Sequence, residues 1–183
     1  DAFQLYDTYG FPIELTVELA MNLGKAGACV LTKEMEHKPT ILVGCDTRIS
    51  GEMLSSALMA GICSVGANAV YVGVLPTPAV AYLVRKYKYD AAIMISASHN
   101  PFEFNGIKIF SGTGFKLPDS LEEEIEAIVL DNVKPYKVAE MDKLGKVTVA
   151  NEAVNEYVDH VVSTVPEKPQ SLKVAFDCSN GSS

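Results

Sequence analysis

Two periods of apolar residues alternate along the chain. Leu15, Leu19, Ala20 and Leu23 recur at helical spacing behind Thr16, a residue suited to an N-cap, with Gly24 and Gly27 near the stop. "TILVG", Thr40 to Gly44, is a β-branched run of the kind buried on both faces of a sheet, and the polar "GCDTRISG" after it closes on Ser50 as a helix cap. Met53, Leu54, Ala57, Leu58, Gly61, Ile62 and Val65 form the stripe of the next helix, with small residues that allow close packing. "AVYVGV" predicts a second strand, Thr77 before Pro78 starts a helix that runs to roughly Tyr87, and "AAIMIS", Ala91 to Ser96, predicts a third strand.

Strands separated by helical crossovers pair in parallel. "GIKIFS" follows the third strand too closely for such a crossover and is expected to be antiparallel, which makes the sheet mixed. "LPDSLEEEIEAIVLD" carries Ser120 and Glu123 in capping-box spacing, with Leu121, Ile125, Ile128 and Val129 on one face. Beyond an irregular connector over 133–145, a short strand at Lys146 to Val149 precedes a helix capped by Asn151, whose Val154, Tyr157, Val158, Val161 and Val162 are expected to face inward. "VPEKPQS" reads as a linker and "LKVAFDCSNGSS" as a strand and turn that begin something new. The expected architecture is a three-layer α/β/α domain with a mixed, mostly parallel sheet over residues 16–165. Residues 166–183 are then a linker and the start of a second domain.

Composition narrows the function. A formal charge of −8 leaves no basic field to attract nucleic acid, so an anionic substrate needs locally placed donors. No apolar run approaches the roughly 18 residues of a membrane span. Cys29, Cys45, Cys63 and Cys178 lack C-x-x-C spacing and read as reduced thiols of a cytoplasmic protein. The first residues carry no export signal, and an opening at Asp1 without Met suggests an excised piece.

Ligands of a parallel sheet collect at the carboxyl ends of its strands. Two loops fall there, "GCDTRISG" and "SASHNPFEFNG". Two serines beside His99 raise acyl transfer, but neighbouring side chains in an extended loop point apart and no Gly-x-Ser-x-Gly elbow is present. A serine that carries a phosphoryl group is a second reading, with Lys108 beyond the Asn105-Gly106 turn and Arg48 in the adjacent loop as cations. A plain solvated turn is a third.

"SASHNP" followed by "NGIK" resembles the phosphoserine signature of the α-D-phosphohexomutases. "VGCDTRISGEML", "GVLPTPAVAYLVR" and "AAIMISASHNPFEFNGIKIFSGTGFKLPD" stand in that family's order and spacing, and Thr16 to Ser183 is similar throughout to its bacterial phosphoglucosamine mutase branch. The resemblance implies that Ser98 carries the phosphoryl group and that its phosphate supplies an oxygen to Mg²⁺. The substrate would be a hexosamine 6-phosphate, turned into the 1-phosphate through a bisphosphate, a step toward UDP-N-acetylglucosamine. A stored phosphate ester calls for positioning and charge neutralisation rather than a strong base. Asn100 and the loop amides can orient the phosphoserine, with Asn105 and Gly106 supporting the loop. Lys108 can pass a proton, Arg48 can neutralise charge, and His99 orients the loop or exchanges a proton. Ser96 lies on the same face as Ser98, one step deeper. Phe104 stands where relatives often carry Asp.

Two departures qualify the resemblance. The family opens on a strand and turn like Gly-Thr-Asp-Gly-x-Arg-Gly, whereas "DAFQLYDTYGFPIELT" resembles an internal segment of alanyl-tRNA synthetase, which makes residues 1–15 a foreign segment. The family's Asp-rich metal loop, sugar loop and terminal domain would follow Ser183, so Mg²⁺ is expected to bind weakly and the chain to be inactive by itself. Other expectations are a phosphomannomutase or phosphoglucomutase fragment, or a non-catalytic module. The module would self-associate through the hydrophobic opening or an exposed sheet edge.

Overall fold

The computed structural model describes residues 13–33, 35–130, 136–167 and 171–182. Strands β1 (Thr40–Cys45), β2 (Asn68–Val74), β3 (Ala91–Ile95), β4 (Ile107–Ser111) and β5 (Val147–Val149) form one sheet in the order β4-β3-β1-β2-β5. β1 pairs in parallel with β2 and β3, and β5 in parallel with β2; β4 alone is antiparallel, against β3. β1 and β3 are buried along almost their whole length because both their faces are covered, as the unbroken apolar runs of these two strands require.

Helices α1 (Ile13–Thr32) and α2 (Gly51–Ser64) cover one face, where Ala20, Ala28, Leu54, Leu58 and Ile62 meet Ile41, Val43, Ile93 and Ile95. Helices α3 (Thr77–Tyr87) and α5 (Ala153–Ser163) cover the other, where Val80, Leu83, Val84 and Ala153 meet Leu42, Val72, Ala92 and Met94. Helix α4 (Asp119–Leu130) packs on α1 through Ile125, Ile128, Ala26 and Val30. The result is the expected three-layer mixed sheet.

Several local expectations are corrected. Thr16 lies inside α1 rather than at its start: the helix begins at Ile13 and runs through Gly24 and Gly27 to Thr32. The glycine at position 24 serves close approach rather than termination. A Cβ there would overlap the Leu58 carbonyl oxygen of α2, and one on Gly61 would overlap the Met21 carbonyl of α1. Pro76, not Thr77, precedes α3 in extended conformation. Ser120 lies inside α4, where the amides of Leu121 and Glu122 donate to the Pro118 carbonyl, so the capping box does not form. Glu152 stands at the start of α5 in place of Asn151. Of the α5 residues expected to face inward, only Tyr157 packs on the core, together with Ala153; Val154, Val158, Val161 and Val162 are exposed. The 171–182 tail forms no strand and stays exposed, with Leu172, Val174 and Phe176 open to solvent. An extended segment without a ladder partner satisfies its backbone with water. The tail returns to the sheet at one point, where Thr47 Oγ1 donates to the Asn180 carbonyl. Leu5 to Pro12 lie outside the described residues.

Burial raises the Cys29 and Cys63 thiols above their ordinary range, in keeping with inert thiols, whereas Cys178 is exposed. α5 is tied to α3 by the Lys86–Glu156 ion pair (2.7 Å) and by His160 stacked on Tyr82 at 3.8 Å. No described helix is long and apolar enough to cross a membrane.

Two predictions follow from this packing. Alanine normally favours a helix over glycine by about 1 kcal/mol, but Gly61→Ala should instead destabilise the fold by about 1–3 kcal/mol through overpacking, read as a lower urea midpoint; an unchanged or higher midpoint would refute the close contact. The hydrogen bond from Lys86 lowers the Glu156 carboxyl below its ordinary value of 4.5. Its contribution is therefore complete above that value and lost as pH falls through the lower folded one. NMR of the Tyr82 and His160 rings should show α5 loosening only in that acid window, and Glu156→Gln should abolish the dependence on this carboxyl.

Candidate functional site

The site is built on the parallel register of β1 and β3. Cys45 lies beside Ile95, and the Asp46 amide extends the ladder by donating to the Ile95 carbonyl (3.0 Å). The two loops that follow these strands therefore leave the sheet side by side at its carboxyl edge, the place where backbone and side-chain donors of an α/β sheet converge.

The second loop is closed at its base. Ser96 donates its amide to the Gly106 carbonyl (2.7 Å), and Gly106 lies so close that a Cβ would stand 3.0 Å from the Ser96 oxygen. Asn105, which is buried, accepts the Gly106 amide on Oδ1 (2.8 Å) and donates from Nδ2 to Ser50 Oγ (2.9 Å). Ser50 thus stands at the start of α2 without capping it by its side chain, because its hydroxyl serves the neighbouring loop. Between these anchors Asn100 and Phe104 make successive turns onto the carbonyls of Ala97 and Pro101.

Ser98 adopts φ 59°, a left-handed conformation that costs a non-glycine residue roughly 1–2 kcal/mol. Its amide donates to Oγ of the buried Ser96 (3.1 Å), which supports the expectation that Ser96 lies deeper. The left-handed turn corrects the expectation that serine and histidine side chains point apart in an extended loop. His99 Nδ1 stands 3.4 Å from Ser98 Oγ, at the outer edge of hydrogen-bond reach. Lys108 lies on β4 opposite Met94, on the face shared with Ala92 and Phe110, and makes no hydrogen bond or ion pair to a described residue. It is the cation near the loop that stays uncommitted.

Arg48 is not. Nε donates to Asp46 Oδ2 (3.0 Å), Nη1 to the carbonyls of Pro101 (2.6 Å) and Phe104 (2.7 Å), and Nη2 to those of Ser98 (3.1 Å) and Asn100 (2.8 Å). A guanidinium has five N–H groups, and each meets one acceptor. The Asp46 and Arg48 side chains are only 12% and 9% exposed, and Asp46 Oδ1 also accepts the Arg48 amide (3.1 Å) in an Asx-type turn. No N–H of Arg48 is left over to donate to a phosphate, so the charge it was expected to neutralise is not met through a direct hydrogen bond. Asp46 is not singled out in the sequence, and Ser50 reads there only as a helix cap; the Asp-x-Arg spacing, an Asx turn that aims an arginine, is the signal that could have found the first.

Among the described residues no group of three or more His, Cys, Asp or Glu side chains could hold a metal ion. Asp46, the carboxylate at the end of β1 beside the loop, is occupied by Arg48. These residues do not by themselves fit Mg²⁺.

Comparison with known proteins adds to this geometry. A family model described as phosphoglucomutase/phosphomannomutase, alpha/beta/alpha domain I, matches residues 2–135. The chain is 53% identical over 171 residues to the phosphoglucosamine mutase of Acetivibrio thermocellus and 56% identical over 171 residues to that of Clostridium botulinum strain Langeland. Each match covers 93% of this chain and 38% of the relative, so the chain spans well under half the length of these proteins. Among solved structures it is similar to a phosphoglucomutase/phosphomannomutase family protein of Burkholderia thailandensis, with a TM-score of 0.69, 21% identity, and coverage of 85% of this chain and 33% of that one. It is also similar to the open form of parafusin, a phosphoglucomutase from Paramecium, with a TM-score of 0.58, 20% identity, and coverage of 77% and 31%. At these identities the structural likeness speaks for the fold.

The Asn105 bridge gives a direct test. Asn105→Ala leaves Ser50 Oγ and the Gly106 amide without their partner, and should cost about 1–3 kcal/mol in denaturant unfolding. Amide exchange at Gly106 should quicken as well. Full protection of that amide in the variant would show that the bridge does not hold the loop base.

Proposed function

Because this chain belongs to the phosphoglucomutase/phosphomannomutase family, whose α/β/α domain I it carries, we propose that it is the phosphoserine domain of a cytoplasmic phosphoglucosamine mutase. The observation that carries the reading is Ser98: a hydroxyl in a left-handed turn at the carboxyl end of β3, on a loop tied at its base and along its length. The identity of 53–56% to phosphoglucosamine mutases favours glucosamine phosphate over mannose or glucose phosphate.

In the proposed reaction, phosphoserine 98 meets glucosamine 6-phosphate. The sugar O1 attacks phosphorus, the P–Oγ bond breaks, the O1 proton leaves to a base and Oγ takes a proton. The 1,6-bisphosphate then reorients. Ser98 Oγ then gives up its proton and attacks the 6-phosphoryl group, the P–O6 bond breaks and O6 takes a proton, which restores the phosphoserine and releases glucosamine 1-phosphate, the precursor of a nucleotide sugar. Lys108, uncommitted and on the strand that returns from the loop, is suited to proton exchange, and His99 can orient or protonate Oγ. The pocket for the sugar and the remaining charge neutralisation are proposed to lie in the parts that the longer relatives have beyond the matched 38%. The chain alone is therefore proposed to be inactive. Residues 16–165 are proposed as the domain itself and 166–183 as a linker leading into a second one; α1 begins at Ile13 and the family match at residue 2, so a foreign opening segment does not extend through residue 15.

Replacing the matching part of the Clostridium botulinum relative with this chain should give a protein that isomerises glucosamine 6-phosphate. Intact mass should show an increment of about 80 Da, mapped to Ser98. Ser98→Ala should lose the increment and at least about a thousandfold in kcat. Turnover retained by Ser98→Ala would end the proposal.

A further inference from the structure

The loop that carries Ser98 has no helix or strand of its own between Ser96 and Gly106. Its backbone must nevertheless be held in one conformation, since Ser98 sits at a φ that a free serine rarely adopts. The base contacts through Ser96, Asn105 and Gly106 fix only where the loop begins and ends. The span between them is gathered by a single side chain from the other loop. Arg48 collects the carbonyls of Ser98, Asn100, Pro101 and Phe104, the first of which belongs to the strained residue itself.

We propose that Arg48, aimed by Asp46, is the positioning residue of the phosphoserine loop, holding Ser98 in its left-handed conformation without touching the phosphoryl group. This rests on the reading of Ser98 as the carrier. The chemistry of the pair suits the task. A planar guanidinium presents five donors in a fixed fork and stays charged at any working pH, whereas a lysine ammonium offers three from one point. Asp46 takes Nε, and its other oxygen takes the Arg48 amide, so the fork is fixed in both position and direction. Drawing four peptide oxygens toward one cation also turns the negative ends of those dipoles inward. The amides of Ala97 and His99, beside the hydroxyl, donate to no described residue. Asp46 thus acts through Arg48, and Arg48 through the backbone.

The test compares Arg48→Lys, Arg48→Ala and Asp46→Asn by NMR in the full chain. Amide dispersion of the β1–β3 ladder should be retained. Exchange at Asn100 and Phe104 should quicken at least about tenfold, and the Ser98 Cα and Cβ shifts should leave their left-handed values. Guanidinium ion should restore them in Arg48→Ala, and methylammonium should not. Should Arg48→Ala fail to fold, the other two variants carry the comparison. In the grafted mutase described above, Arg48→Lys should lower kcat by about a hundredfold with KM for the sugar phosphate unchanged, because a misplaced nucleophile slows transfer without weakening substrate binding. Unchanged Ser98 shifts and loop exchange in Arg48→Lys would overturn the proposal, as would a loosened loop with full kcat. Turnover of the unaltered graft without phosphate on Ser98 would instead overturn the carrier reading, and the NMR comparison keeps the two failures apart.

Discussion

The parallel pairing of β1 with β3 is the constraint on which the site depends. It is fixed by burial: Val43, Cys45, Ile93 and Ile95 must all face α1 and α2, and a slip of one residue would turn each of them to the opposite side. The ladder runs one hydrogen bond past the end of β1, through Asp46 to the Ile95 carbonyl. Two loops about fifty residues apart in sequence are thereby delivered to a common starting line. The reach of Arg48 to Phe104 and of Asn105 to Ser50 both follow from that delivery.

The antiparallel return of β4 supplies the second condition. A helical crossover after β3 would have carried the chain away to the far side of the sheet. β4 instead brings it straight back, so that the loop is pinned at both Ser96 and Gly106 and presents Lys108 on the adjacent strand. The mixed sheet is therefore part of how the site is made. The close packing of α1 on α2 at Gly24 and Gly61 works on the other side of the same strands, where it lets two helices share the width of sheet that β1 and β3 offer.

Much of this is written in local sequence, and the part that is not has a physical reason. β1, β2, β3 and β4 are legible because buried β-branched runs bounded by turn residues have few other uses, and the antiparallel sense of β4 follows from the length of its connection. Helix ends are less legible, because a glycine that ends a helix and one that admits a neighbouring helix look alike until the neighbour is in place, as at Gly24. The valines of α5 read as a core stripe, yet only Ala153 and Tyr157 touch the core, since nothing described covers the rest. At the site, Ser98 is distinguished from Ser96 by the family resemblance alone, whereas the Asn105-Gly106 turn could be read from its own residues. The engagement of Arg48 could not, because its acceptors are backbone oxygens, which every residue possesses and no sequence pattern marks.

The left-handed turn at Ser98 bears on which hydroxyl amino acid this position can hold. Threonine offers an alcohol of much the same nucleophilicity, and by chemistry alone the two would be interchangeable. A second substituent on Cβ, however, makes positive φ a severe outlier. A threonine here would either pull the chain back into the common region of backbone space, carrying its oxygen away from the strand end, or strain the turn. The choice between two equivalent alcohols is thus made by the main chain rather than by reactivity.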